Sequence, residues 1–181
     1  LPQWKLAKSS VLSIYIVLLD QGLEWKILAS CQFLEKVSLA DCWGKMSEKT
    51  VESLVQSCLT LTVLDLQNFD LSNLPFASFE KLITSCRELT ELNLNDTKLC
   101  SKSITFLSTH LTEKIKKISL CNVKVSDQDL KDLVERCNEI VELDLYSCKL
   151  LTNQSLKSIS GALHQRLAKL WLPNQFANLK S

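Results

Sequence analysis

Glycine, proline and histidine are scarce in this chain of 181 residues, which has three Gly, three Pro and two His. Few Gly and Pro leave little material for flexible linkers or for glycine-rich phosphate loops. The motifs Gly-x-Gly-x-x-Gly, Gly-x-Ser-x-Gly and His-Glu-x-x-His and the P-loop are also missing. Both histidines, His110 and His164, fall near predicted helix ends, where they are more often surface or capping groups than bases. We therefore expect no catalytic residues and no enzymatic activity.

The chain also lacks a charge excess and a long hydrophobic run. Lys and Arg number 21 against 20 Asp and Glu, so there is no electrostatic footprint for nucleic acid or for an anionic membrane. The longest apolar run, residues 11–19, is interrupted by Ser13 and Tyr15 and falls short of the roughly 20 residues that span a bilayer. We therefore predict neither a nucleic-acid partner nor a membrane partner.

What the chain does contain is a repeated unit. Residues 130–137 place apolar side chains at i, i+3, i+4 and i+7, which is one face of a helix, and residues 140–145 follow the strand pattern apolar-x-x-apolar-x-apolar. The same strand pattern starts at seven places: Val11, Leu34, Leu61, Leu89, Ile115, Ile140 and Leu167. These starts are 23 to 28 residues apart. Such a period with this pattern is the signature of a leucine-rich repeat.

The sequence therefore predicts an α/β leucine-rich-repeat solenoid, a horseshoe with a parallel sheet on its concave side and helices on its convex side. Because a single repeat cannot bury its apolar face alone, the repeats must stack on one another. We expect residues 1–181 to form one domain of about six to seven repeats. Polar capping repeats are not evident at either terminus, so we also expect the domain to be part of a longer chain.

Three local signals refine the predicted helices. Ser126 and Asp129 have the spacing of a capping box at a helix start, and Thr152 is a predicted N-cap in the next repeat. In the fourth repeat the apolar helix face contains Ile104 and is interrupted by a polar residue, Ser108. We read Ser108 as a break in that face.

The eight cysteines follow the repeat. Four stand three residues before a strand start and two occupy the turn eight residues after one: Cys31, Cys58, Cys86 and Cys137, then Cys42 and Cys148. Small apolar thiols suit tight inward turns. Since no Cys-x-x-Cys pair occurs, we predict no metal site and no cofactor. Free thiols in a cytoplasmic or nuclear compartment are predicted, although the sequence leaves a pairing such as Cys58 with Cys86 open.

Residues between the buried strand positions must point to the concave surface, because side chains alternate along a strand. Eleven of them are our candidate protein-binding residues: Lys36, Asp65, Gln67, Glu91, Asn93, Lys117, Glu142, Asp144, Tyr146, Lys169 and Trp171. Tyr146 and Trp171 are predicted neighbours, and aromatic side chains beside charges are typical interface anchors. The alternative is that these residues, the charged ones above all, are merely solvated sheet positions.

Helices that end in Cys and are followed by leucine strands and a Cys turn, as in residues 130–148, resemble the cysteine-containing repeats of F-box proteins. The resemblance covers nearly the whole chain. It implies the substrate-recognition module of an SCF-type E3 ubiquitin ligase, which binds a target protein for ubiquitination on the concave face, sometimes with a small accessory protein.

In that family an upstream F-box contacts the adaptor and, through it, the cullin. The strand predicted at Val11 leaves no room for an F-box in this chain, so those contacts are assigned to none of its residues. The alternative function is a stand-alone leucine-rich-repeat scaffold or inhibitor without a ubiquitin-ligase role.

Overall fold

The computed structural model describes Leu28, residues 34–41 and residues 46–176, without the side chains of Ser57 and Cys58. The strand predicted at Val11 lies outside the described residues. So does the helix predicted at residues 23–30, apart from Leu28, which is buried.

Within the described residues, six strands of three residues each alternate with five helices. The strands are β1 (Lys36–Ser38), β2 (Val63–Asp65), β3 (Glu91–Asn93), β4 (Lys117–Ser119), β5 (Glu142–Asp144) and β6 (Lys169–Trp171). The helices are α1 (Glu48–Ser57), α2 (Phe76–Ser85), α3 (Ser101–His110), α4 (Asp127–Arg136) and α5 (Asn153–Leu163). Short 3₁₀ turns cover Cys58–Thr60 and Asn174–Phe176.

The strands form one parallel sheet in sequence order, β1 to β6, and each strand is hydrogen-bonded to its neighbours in the chain. Each helix from α1 to α5 packs against the next one, so helices make up the second layer. This arrangement confirms the predicted α/β leucine-rich-repeat solenoid with a parallel sheet. None of the described helices is long and apolar enough to cross a bilayer.

The core lies between the sheet and the helices, where the repeated apolar positions predict it. The central residues of successive strands stack in register, so that Leu64, Leu92, Ile118 and Leu143 are all 2% exposed or less. The equivalent Leu170 in β6 is only partly buried. The reason is that no further strand within the described residues pairs with the outer edge of β6. Among the described residues, the inner face of β6 is therefore covered by a neighbouring strand on one side only.

The structure confirms both predicted helix caps and corrects one helix face. The Ser126 hydroxyl accepts a hydrogen bond from the amide of Asp129, whose carboxylate accepts from the Ser126 amide, and Thr152 caps α5. The interpretation of Ser108 as a polar break was wrong, because Ser108 is buried. Its hydroxyl donates to the Ile104 carbonyl at 3.0 Å. A serine satisfied within its own helix can therefore belong to the buried face.

Asp127 links two repeats through polar contacts. Its carboxylate accepts from the amide of Thr152 at 2.9 Å and from the Thr152 hydroxyl at 2.5 Å, and it also accepts from the Ser155 hydroxyl. Partial burial acts to raise the pKa of Asp127, but the hydrogen bonds from Ser155 and Thr152 outweigh it, so the pKa lies below its ordinary value. The start of α4 is thereby tied to the start of α5.

We predict that Leu143→Ala lowers the free energy of unfolding by about 2–5 kcal/mol, because Leu143 is fully buried in β5 and its truncation leaves a cavity. Leu150→Ala is the matched control, since the Leu150 side chain is 55% exposed, and it should change the free energy by less than about 0.5 kcal/mol. Urea unfolding followed by circular dichroism measures both. Equal effects at the two positions would contradict the core described above.

A second prediction concerns pH. Because the pKa of Asp127 is lower in the folded chain, its stabilising contribution is present above the ordinary pKa of about 3.9 and is lost as pH falls through the folded value. Asp127→Asn should therefore destabilise the chain at pH 7, and the difference from the unsubstituted chain should shrink below about pH 4. Thermal unfolding from pH 7 to pH 3 tests this. The control is Asp132→Asn on the same helix, because the Asp132 carboxylate accepts a hydrogen bond from Gln128 of that helix. An equal effect there would refute the assignment.

Candidate functional site

The concave face consists of side chains that the strand register aligns in columns. The first residues of the six strands form what we call the first column: Lys36, Val63, Glu91, Lys117, Glu142 and Lys169. The third residues form the second column: Ser38, Asp65, Asn93, Ser119, Asp144 and Trp171. The residues two positions after the ends of β2, β3, β4 and β5 form what we call the loop column: Gln67, Asn95, Cys121 and Tyr146. All eleven residues selected from the sequence lie in these three columns.

From Glu91 to Lys169 the first column is a ladder of alternating charges that contact one another. The Nζ atom of Lys117 is 3.4 Å from Glu91 and 3.9 Å from Glu142, and the Nζ atom of Lys169 is 3.1 Å from Glu142. Opposite charges on neighbouring strands stabilise the pairing of the strands. The pairs are partly exposed, so each contributes about 1 kcal/mol at most. The first-column charges therefore largely neutralise one another.

The second column behaves differently, because its carboxylates bond only to neutral groups. The Asp65 carboxylate accepts a hydrogen bond from the Ser38 hydroxyl at 3.3 Å and one from the backbone amide of Gln67 at 3.0 Å. Asp144 accepts from the Tyr146 amide at 2.9 Å. Within the described part of the chain, neither carboxylate forms an ion pair with Lys or Arg. Two negative charges thus stay uncompensated on this face.

Amide side chains tie the middle of the face together. The side-chain amide of Asn93 donates to the Gln67 side-chain oxygen at 3.1 Å, and Asn93 in turn accepts from the Asn95 backbone amide at 3.0 Å. Asn95 accepts from the backbone amide of Cys121 at 2.7 Å. These bonds hold the loop column in place, so the polar surface is fixed before any partner arrives.

A shallow depression of about 290 Å³ lies over β2 to β6. Seven of the eleven selected residues line it: Asp65, Glu91, Asn93, Lys117, Glu142, Asp144 and Trp171. Lys36, Gln67, Tyr146 and Lys169 do not line it. Ser119, which the selection from the sequence left out, sits in the depression between Asn93 and Asp144 in the register. Ser119 was missed because it carries no charge and no aromatic ring.

The two aromatic residues are the large exposed apolar groups of this face. Trp171 is 46% exposed and pairs in register with Asp144, while Tyr146 is 45% exposed and follows two residues after Asp144. The Tyr146 hydroxyl is 3.4 Å from the Asn174 side-chain amide nitrogen, which donates to it. Trp171 therefore lines the depression, whereas Tyr146 lies in the loop column and is not part of the lining.

Two cysteines outside these columns, Cys137 and Cys148, have a packing role. Burial raises the pKa of both the Cys137 thiol and the Cys148 thiol to about 12. Their sulfur atoms donate to backbone carbonyls of the preceding repeat, at 3.4 Å and 3.0 Å. No three His, Cys, Asp or Glu side chains come together as metal ligands among the described residues. The question of a disulfide between Cys58 and Cys86 stays open, because the Cys58 side chain is not among those that the structure describes.

No protein-family model matches the chain, and no curated protein matches it. Among solved structures it is similar to the leucine-rich repeat-containing protein LegL7 from Legionella pneumophila, with a TM-score of 0.62 and 13% sequence identity over 94% of this chain and 57% of LegL7. It is also similar to the tropomodulin C-terminal domain from Caenorhabditis elegans, with a TM-score of 0.57 and 16% identity over 78% of this chain and 90% of that domain.

Identities this low establish the fold alone. The chain has the leucine-rich-repeat fold, as the strand register and the helical layer had already indicated. It spans little more than half the length of LegL7.

The thiols give a third prediction. Hydrogen bonds from Ser103, the side chain first, lower the pKa of the exposed Cys100, whereas burial and then the charges of Asp144 and Asp96 raise the pKa of Cys121. At pH 8 iodoacetamide should therefore modify Cys100 faster than Cys121, because the thiolate is the reacting form. Cys137 and Cys148 should react only when the chain unfolds. Peptide mass spectrometry at increasing times measures this order, which faster labelling of Cys148 than of Cys100 would contradict.

Proposed function

We propose that this chain is a protein-binding module that holds a segment of a partner protein on its concave face. The observation that carries the proposal is an ordered sheet face with an exposed tryptophan, uncovered by any described helix. Two outward residues from each of the six described strands and the four residues of the loop column give 16 positions, somewhat fewer than the roughly 20–30 residues that one partner contributes to a standard interface. Tryptophan and tyrosine are also the residue types on which binding energy concentrates.

A finer proposal is that the bound segment belongs to a substrate of an SCF-type E3 ubiquitin ligase. Its support is the sequence resemblance to the cysteine-containing repeats of F-box proteins, which in the run of residues 88–145 is a resemblance to the S-phase-kinase-associated F-box protein. On this proposal the chain binds a target, with or without a small accessory protein, and has no catalytic activity. An F-box outside this chain contacts the adaptor and cullin, in the cytoplasm or nucleus.

The competing proposal is a stand-alone leucine-rich-repeat scaffold or inhibitor of the same architecture. It uses the same concave face and the same anchors. The set of bound proteins distinguishes it from the ligase proposal, because a scaffold binds its partner without an adaptor and a cullin.

The test is affinity purification with mass spectrometry on the full-length protein that contains this chain. Ser119→Trp places a bulky ring in the middle of the depression, and Ser160→Trp places the same ring on an exposed site of α5. We expect Ser119→Trp to abolish capture of the concave-face partner and Ser160→Trp to leave it unchanged. The double variant Tyr146→Ala with Trp171→Ala should weaken capture at least about tenfold, with Leu59→Ala, at an 82% exposed position, as its control.

Each outcome decides one proposal. A partner that stays bound to Ser119→Trp refutes binding on the concave face. Adaptor and cullin recovered with all variants support the ligase proposal, since an F-box elsewhere in the protein holds them. If a concave-face partner is found without adaptor and cullin, the ligase proposal fails and the scaffold proposal stands.

A further inference from the structure

The charges of the concave face are unequally distributed between its columns. The chain as a whole has a formal net charge of +1, yet the depression is lined by four carboxylates and a single lysine. That lysine, Lys117, is already engaged by Glu91 and Glu142. The acidity of the depression is therefore local to this face, and the ion pairs of the first column do not remove it.

Asp144 and Asp65 are the groups with capacity left for a ligand. One Asp144 oxygen accepts from the Tyr146 amide, and its other oxygen has no hydrogen-bond partner within the described residues. Asp65 receives two bonds from neutral donors, and a carboxylate has about four acceptor positions. Both groups are half-buried at the floor of the face. A cation placed there would gain a charge-assisted bond that water replaces poorly.

Trp171 adds a second kind of recognition next to the first. It pairs in register with Asp144 and is 46% exposed, so part of its surface is accessible on the strand next to that carboxylate. Tryptophan is the side chain that attracts a cation most strongly to its ring face, and arginine is the most common partner. A carboxylate and an indole side by side therefore match a guanidinium group.

The distance between the two aspartates sets the shape of the ligand. Asp65 lies on β2 and Asp144 on β5, three strands apart, which is about 14 Å at about 4.8 Å per strand. An extended chain rises about 3.4 Å per residue, so this span corresponds to about four residues. Between the two aspartates the second column offers Asn93 and Ser119, small polar groups that leave room for a backbone to pass.

We propose that the concave face binds an extended basic segment of the partner protein, crossing β2 to β5 with two arginines or lysines four positions apart, one at Asp144 and Trp171 and the other at Asp65. This inference rests on the proposed protein-binding function and specifies the chemistry of the partner. The segment runs across the strands. The first-column residues from Glu91 to Lys169 flank it as paired charges, and the basic side chains replace no existing ion pair.

The test uses fluorescence anisotropy on the full 181-residue chain with designed nonapeptides. The probe has two arginines four positions apart in a serine and alanine background, and its comparisons replace both arginines by citrulline, replace both by glutamate, or place them side by side. We expect measurable binding of the probe, at least about tenfold weaker binding of the citrulline and glutamate peptides, and weakening as salt rises from about 50 mM to about 500 mM. The adjacent-arginine peptide should bind several-fold more weakly than the probe.

Charge-matched variants assign the binding to the two aspartates. Asp65→Asn with Asp144→Asn should weaken binding of the probe at least about tenfold. Glu52→Gln with Glu80→Gln removes the same charge from exposed sites on α1 and α2 and should leave binding within about twofold. Trp171→Leu should weaken binding several-fold. Equal melting temperatures of the four proteins show that each is folded.

The inference is overturned if the probe does not bind, if the citrulline peptide binds equally well, or if both pairs of carboxylate variants have the same effect. None of these results contradicts the proposed function. That function is tested separately with Ser119→Trp, which blocks the face to a partner of any charge. Loss of the natural partner from Ser119→Trp but not from the Asp65 and Asp144 variant would keep the binding face and reject a basic ligand.

Discussion

Contact between consecutive repeats is the constraint on which this structure depends. Each strand has only three residues and bonds to its neighbours through parallel backbone hydrogen bonds, and each leucine of the inner face is covered by the same position of the next repeat. Leu143 has a neighbour on both sides and is fully buried, whereas Leu170 in the last described strand is only partly buried although its own sequence context is equally apolar. Burial is thus a property of the stack and not of the residue.

The same register that buries the leucines orders the outward side chains. Because residues at equivalent positions meet strand by strand, an alternation of Glu and Lys along the chain at a period of about 26 residues becomes a row of contacts between Glu91, Lys117 and Glu142. A similar row lies just before the strands, where Lys114 contacts Glu88 at 2.6 Å and Arg166 contacts Glu139 at 2.5 Å. Such pairs disfavour a shifted register, since a slip would bring other side chains opposite one another. The solenoid therefore fixes its alignment with charges as well as with apolar packing.

Sequence periodicity was sufficient for the fold and insufficient for the face. Apolar spacing located all six described strands and the buried side of the helices, because period and burial are directly linked in a repeat protein. It failed at Ser108, where a hydroxyl bonds within its own helix and so behaves as a core residue. It also missed the turn residues Asp41, Asn68, Asp96, Asn122 and Ser147, which all have positive φ seven positions after a strand motif begins. Four of the five are Asp or Asn, the types that adopt this conformation most readily, so the signal was in the repeat alignment.

Which concave charges are available to a partner could not be inferred from the residue types alone. Glu142 and Asp144 are both acidic, two positions apart on one strand, and they point to the same side of the sheet. Glu142 lies opposite two lysines on the neighbouring strands, while Asp144 lies between Ser119 and Trp171. The difference comes from the neighbours, which are about 26 residues away in the chain and become visible only when the register is known. On the proposed function, the specificity of a face built from short, similar units therefore depends on the order in which the units are stacked, because that order decides which side chains become neighbours.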